Sequence, residues 1–228
     1  MKPCLSASLM CADWLHLAPT LKALEASCGA LHVDIMDGHF CKSLYLSPWS
    51  ISVIRPATRL PIEAHLMVER PEDFLETVAK AGADTIALHA ETIERQAFRL
   101  VERIHALGCK AGVVLSPATP IAAVESYLNR LELVTVMTVD AGFAGQPFLP
   151  EMLEKIRALA AWKHAHGSRF SIQADGGVNR ATYRALYEAG TENFVLGSSG
   201  LFGLDTDIYA ACKRMQTEVE AAIKEVTP

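Results

Sequence analysis

The sequence predicts an α/β protein, a single (β/α)8 TIM barrel spanning residues 1–228. Three observations carry this. Strand-like and helix-like patterns alternate through the whole chain, giving eight units. The strand runs are continuously apolar, as expected where helices cover a parallel sheet. No Pro/Ser-rich linker or charge block divides the chain. Its 228 residues fall slightly below the ~250 typical of such barrels. An open doubly wound sheet shares the alternation, but eight evenly spaced units fit closure better.

The expected strands, in order, are 4–9, 30–36, 61–67, 85–89, 110–115, 133–139, 170–174 and 193–196. Helices are expected at 72–81, 94–107, 121–130, 151–164 and 180–189, with a last one from about 207 to 225. In 94–107, Ala97, Leu100, Val101, Ile104 and Leu107 recur at helical spacing. Pro71, Pro120 and Pro150 sit at or just before helix starts, where a missing N–H does no harm. Gly82, Gly108, Gly167 and Gly190 follow the apolar periodicity where helix C-caps belong.

Half the residues are hydrophobic and 21% are charged, which suits a compact protein with a large core. A net charge of −5 points to neither nucleic acid nor an anionic membrane. An anionic substrate must therefore be held by local groups. The six cysteines show no CxxC pair or framework spacing and read as small apolar fillers in a reducing compartment. No run approaches the ~20 apolar residues of a membrane span, and the N-terminus lacks a secretory pattern. A cytoplasmic protein is expected.

Active sites in these barrels lie where strands run into the following loops. His32, Asp34, His65 and Asp175 all fall near the ends of expected strands. His32 and Asp34 are two residues apart and so point to one side of their strand. Two imidazoles and two carboxylates could converge on one divalent cation, Zn²⁺, Mn²⁺, Co²⁺ or Fe²⁺, among which mixed nitrogen and oxygen ligands do not select. Alternatively, His32 and His65 are core histidines satisfied by backbone, with the aspartates as caps. Asp34 and Asp175 come from distant parts of the chain and could approach a bound molecule from opposite directions. One would remove a proton alpha to a carbonyl and the other return one from the other face, with the cation stabilising the oxyanion. Met36, Met67 and Met137 also end strands and would form a soft, water-poor cover; ordinary barrel packing explains each of them equally. Of the other histidines, His105, His164 and His166 fall on helix surfaces or ends and His39 in a loop. His89 ends the fourth strand, where it could line the pocket without binding metal.

Glycines cluster after the last three strands, in 140–146, 175–177 and 197–200. Such loops let backbone N–H groups approach an anion, and barrels often bind phosphate after strands seven and eight. Many loops need glycine only for positive φ, so each cluster alone says little.

Ser8-Leu9-Met10, HVDIMDGHF at 32–40, EAHLMV at 63–68, MTVDAGFAGQPF at 137–148, and the ADGGV and LGSS segments resemble the ribulose-phosphate 3-epimerase family over essentially the whole chain. The resemblance implies a ribulose-phosphate-binding barrel and a metal-dependent epimerase acting at carbon 3 of a ketose phosphate. It implies His32, Asp34, His65 and Asp175 as ligands of one divalent ion, Asp34 as proton acceptor and Asp175 as proton donor. Ser8 and His65 match substrate contacts. Gly142, Phe143, Ala144, Gly145, Gly176, Gly177, Gly197 and Ser198 match the surroundings of the phosphate. A homodimer, or a hexamer built from dimers, is also implied.

Within the family, Thr138-Val139-Asp140, the Phe-Ala-Gly-Gln-Pro-Phe run and residues 199–202 are similar to the branch that interconverts D-allulose 6-phosphate and D-fructose 6-phosphate. D-Ribulose 5-phosphate is the alternative substrate. A non-catalytic sugar-phosphate sensor is the alternative of another class. Ala141 stands where the family commonly has proline, and Ser43 and Tyr45 also depart from its pattern, which leaves room for a shift in preference.

Overall fold

The computed structural model describes residues 2–224. Its eight strands are β1 (Cys4–Ser8), β2 (Ala30–Met36), β3 (Ile62–Met67), β4 (Thr85–His89), β5 (Lys110–Leu115), β6 (Leu133–Met137), β7 (Ser171–Asp175) and β8 (Asn193–Leu196). All neighbours pair in parallel and β8 returns to β1, closing the barrel in sequence order. Four strands match the expected bounds and three differ by one residue at an end or at both. β6 stops two residues early because Thr138 turns to β7, its N–H donating to the Asp175 carbonyl at 2.7 Å.

Helices α1 (Leu17–Ser27), α2 (Pro48–Ile54), α3 (Leu75–Ala81), α4 (Ala90–Ile93), α5 (Ala97–Ala106), α6 (Met152–His166), α7 (Tyr183–Ala189) and α8 (Ile208–Lys224) surround the sheet. In α5, Ala97, Leu100, Val101 and Ile104 form the buried face. Gly82, Gly167 and Gly190 end α3, α6 and α7 in the left-handed region, and Gly108 just beyond α5 also has positive φ. The expected end of the last helix, residue 225, lies outside the described residues.

Two expectations need correction. The stretch 121–130 forms no α-helix but two 3-10 turns, Ile121–Ala123 and Leu128–Arg130. Val124, Tyr127 and Arg130 each donate to the carbonyl three residues back, and burial of Val124 and Tyr127 repeats at that same interval. The 72–81 helix divides into a 3-10 turn, Pro71–Asp73, followed by α3.

The strands are apolar mainly on their outer faces. Leu31, Val33 and Ile35 of β2, with their counterparts on other strands, pack against the helices in the main core. The inward positions are largely polar: Ser6, His32, Glu63, Thr135, Gln173 and Asn193, with Ser8, Asp34, His65, His89 and Asp175 at the C-terminal end. Branched apolar side chains ordinarily fill such interiors. Here hydrogen bonds joining Thr135, Gln173 and Glu63 cross part of the bore.

Candidate active site and metal centre

HVDIMDGHF follows strand alternation and then a pinned turn. His32, Asp34 and Met36 face inward along β2. Asp37 then accepts hydrogen bonds from the N–H groups of His39, Phe40 and Glu69, fixing the loop to the chain beyond β3. Gly38 takes φ +75°, and Phe40 lands against the His89 ring at 4.4 Å between centroids.

The structure brings His32, Asp34, His65 and Asp175 together, with one ligand atom from each lying within 4.8 Å of the others. Oδ1 of Asp34 is 3.1 Å from both Nε2 of His32 and Nδ1 of His65. Oδ2 of Asp175 lies 3.5 Å and 3.7 Å from the same two nitrogens. Ser8 donates to Oδ2 of Asp34 at 2.8 Å. These four residues fit a divalent ion. Nε2 of His32 and Nδ1 of His65 face each other at 3.2 Å, an arrangement suited to two lone pairs directed at one cation. The far nitrogen of each ring lies close to a side chain on the next strand along. Oε2 of Glu63 is 3.2 Å from Nδ1 of His32, and Nε2 of His89 is 2.9 Å from Nε2 of His65.

Glu63 is held in turn. Gln173 donates to it at 2.8 Å and accepts from Thr135 at 2.7 Å, so β3, β7 and β6 share one buried network. Glu63, Gln173 and Thr135 carried no role in the sequence reading. The signal was present, since each lies two residues before an inward position at a strand end, Glu63 before His65, Gln173 before Asp175 and Thr135 before Met137.

Electrostatics separate the two aspartates. Burial would raise Asp34, but His32 and His65 outweigh it and hold its pKa far below the usual carboxylate range. Asp175 is pushed up to about 6 by burial and the charge of Asp34, against the pull of the imidazoles. Burial opposes a charge on His32, yet Asp34 and Glu63 raise its pKa well above the ordinary value. Burial lowers His89 to about 4.

Asp34 and Asp175 open onto a cavity of about 300 Å³ at the C-terminal end of the barrel. Met36, Met67 and Met137 line it, as does Met10, which the sequence reading did not single out. Ser8, Gly142, Phe143, Ala144, Gly145, Gly176, Gly177, Gly197 and Ser198 line it too. His32 and His65 lie behind the aspartates, fully buried. His89 does not line the cavity; it stacks behind His65. Ser43 and Tyr45 are also away from the lining, whereas Ala141 packs against the methionines.

The loops take these positions for local reasons. Gly142, Gly145, Gly176 and Gly177 all have positive φ. A Cβ on Gly176 would meet Val139 at 2.4 Å. The Gln146 amide donates to the carbonyls of Asp140 and Phe143, folding 140–146 back on itself.

Comparison with known proteins agrees with this geometry. The model of the ribulose-phosphate 3 epimerase family matches residues 4–202. The ribulose-phosphate 3-epimerase of Bacillus subtilis is 38% identical over 84% of this chain and 89% of its own. The chloroplastic ribulose-5-phosphate-3-epimerase of Arabidopsis thaliana is 40% identical over 87% of this chain and 71% of its own. The ribulose-phosphate 3-epimerase of Methanocaldococcus jannaschii is 38% identical over 96% and 91%. Among solved structures, KGPDC from Streptococcus mutans superposes with a TM-score of 0.71 at 16% identity, covering 97% of this chain and 99% of its own. A tryptophan synthase alpha-subunit from Pyrococcus furiosus gives 0.66 at 16%, covering 96% and 98%. Those two likenesses speak to the barrel alone.

Proposed function

The chain belongs to the ribulose-phosphate 3-epimerase family, and from that premise we propose a 3-epimerase of D-allulose 6-phosphate and D-fructose 6-phosphate with Asp34 and Asp175 as its acid–base pair. The observation that carries the chemistry is the meeting of two carboxylates from β2 and β7 at one pair of imidazoles, with their proton affinities driven apart. Such a split is the mark of a base beside an acid.

Asp34 takes the proton from carbon 3, and the electron pair left behind spreads onto the neighbouring carbonyl as an enediolate. Asp175 delivers a proton to the opposite face, inverting the centre, and the roles exchange in the reverse direction. His32, Asp34, His65 and Asp175 would hold a divalent ion, which would supply Lewis-acid stabilisation of the charge on the sugar's oxygens. Ser8 steadies Asp34 through its hydroxyl. Met36, Met67 and Met137 keep water from the planar intermediate, whose proton-exchange losses they limit. Positive-φ glycines at 142, 145, 176 and 177, with Gly197 and Ser198, offer backbone groups to the phosphate. This suits a chain with a net charge of −5.

The hexulose reading is supported by the Thr138-Val139-Asp140 segment and residues 199–202. The relatives' names favour the pentulose, D-ribulose 5-phosphate, as a second reading. The two substrates differ by one hydroxymethylene, and pockets reject such a difference only ~10–200-fold. The ratio of kcat/KM for D-allulose 6-phosphate and D-ribulose 5-phosphate decides between them; a large preference for the pentulose overturns the first choice. Binding of sugar phosphate with no deuterium entering carbon 3 would instead indicate a sensor. A cytoplasmic setting is supported by six cysteines that are all free, and no described helix is long and apolar enough to cross a membrane. A dimer or hexamer of dimers remains part of the proposal, read by light scattering.

A further inference from the structure

The far side of His65 carries a second line of partners that the acid–base mechanism does not use. Nε2 of His65 lies 2.9 Å from Nε2 of His89. Nδ1 of His89 lies 3.3 Å from Oε2 of Glu91 and 3.3 Å from the Ser116 hydroxyl. The other oxygen of Glu91 accepts from the Ser116 N–H at 3.2 Å and from the Thr119 hydroxyl. Lys155 of α6 holds that same loop from outside, donating to the carbonyls of Ser116, Pro117 and Thr119 at 3.0, 2.7 and 2.8 Å. A row of contacts thus runs from the metal-capable centre to the loop after β5.

We propose that His89 and Glu91 are positioning residues that set the tautomer of His65, so that its Nδ1 presents a lone pair to the metal. A carboxylate only accepts, so Glu91 requires the proton of a neutral His89 to sit on Nδ1. Nε2 of His89 is then an acceptor, and His65 must donate to it from Nε2. That leaves Nδ1 of His65 bare, and Nδ1 is the atom 3.1 Å from Asp34 and 3.2 Å from His32. Glu63 stands in direct contact with His32. His65 reaches its carboxylate through an intervening imidazole, because the ring at the end of β4 occupies the space between.

The inference rests on the metal reading above, and its test separates the two. Mn²⁺ affinity is measured on metal-stripped protein by competition with a chelating indicator, with no substrate present. Outer partners of ligating histidines typically contribute about 10–100-fold in metal affinity, and His89→Leu is expected to lose that much. His89→Gln should recover most of it, because an amide oxygen can still accept from Nε2 of His65. Glu91→Ala should lose less, and His89→Leu combined with Glu91→Ala no more than His89→Leu alone. Wild-type affinity in His89→Leu overturns the proposal, as does a Gln variant as weak as Leu, or additive losses in the double variant. Should His89→Leu not fold, wild-type affinity in Glu91→Ala overturns it on the same readout. Wild-type protein that takes up no Mn²⁺ overturns the metal reading itself.

Discussion

Asp34 and His65 are register partners on neighbouring parallel strands, and their inward side chains meet with Oδ1 of the aspartate 3.1 Å from Nδ1 of the imidazole. Strand pairing therefore sets the distance between a proposed base and a proposed ligand, with no loop involved. Sites carried on strands hold their geometry better than sites on loops.

Asp175→Asn is expected to lower interconversion of the two epimers by roughly 10²–10⁴-fold, the usual contribution of a positioned acid or base. Asp34 remains in that variant, so the epimer whose carbon 3 proton it faces should still exchange with deuterated solvent. NMR of the recovered sugar phosphate checks this: wash-in without inversion is the expected outcome, and near-normal inversion removes Asp175 from the mechanism.

Chelation of divalent metal should abolish turnover, and Zn²⁺, Mn²⁺, Co²⁺ or Fe²⁺ should restore it to different degrees. The check is activity after dialysis and stepwise readdition of each ion. Full turnover in metal-free protein would show that the carboxylates act unaided.

Gly176→Ala places a Cβ 2.4 Å from Val139 at a φ of +110°, immediately after Asp175. Left-handed backbone costs an ordinary residue about 1–2 kcal/mol, and the clash adds to it. Thermal unfolding should drop and activity fall with it. Adding Val139→Ala should restore only part of the loss, because the backbone strain stays.

Arg55 works at the other end of the barrel. It pairs with Asp84 at 2.9 Å and donates to the carbonyls of Thr58 and Leu60, while Asp84 also accepts from the N–H of Ile62 at the start of β3. Arg55→Ala should cost about 1.5–3 kcal/mol in chemical denaturation, the range for hydrogen bonds to charged groups. KM and kcat should stay near wild type.

Glu91 supplies a pH signature. Burial would raise its pKa, but hydrogen bonds from His89 and Thr119 outweigh burial and lower it to about 2, against an ordinary value of 4.5. A carboxylate with a depressed folded pKa binds its proton more readily when unfolded, so its stabilisation is complete above about 4.5 and is lost as pH falls toward 2. Denaturation curves between pH 5 and 3, at about half-unit steps, should fall less steeply for Glu91→Gln than for wild type. Parallel curves would mean that Glu91 is not held by these bonds.

Much of this was legible in the residues. Alternation of apolar runs and helical spacing gives the barrel, and the placement of His32, Asp34, His65 and Asp175 at strand ends anticipates their convergence. The bore was less legible, because strand runs such as LHVDIM look apolar overall while parity puts every second side chain inside. The 121–130 stretch misled because apolar residues three apart suit a 3-10 turn as well as an α-helix. α1 and α2 were not singled out: α1 carries Pro19 in its first turn and α2 is short, with β-branched Ile51, Val53 and Ile54. The partners of His65 could not be read from sequence, since Glu91, Ser116 and Lys155 meet only after the chain has folded.

The polar inner face of the staves has a practical consequence for redesign. Hardening this enzyme against heat by filling the bore with leucine and isoleucine would dismantle the scaffolding that aims Asp34 and Asp175. The annulus between sheet and helices, where Val33, Ala64, Val113 and Phe194 sit fully covered, is the place for volume-conserving substitutions, because these side chains belong to the main core on the side of the sheet away from Asp34 and Asp175.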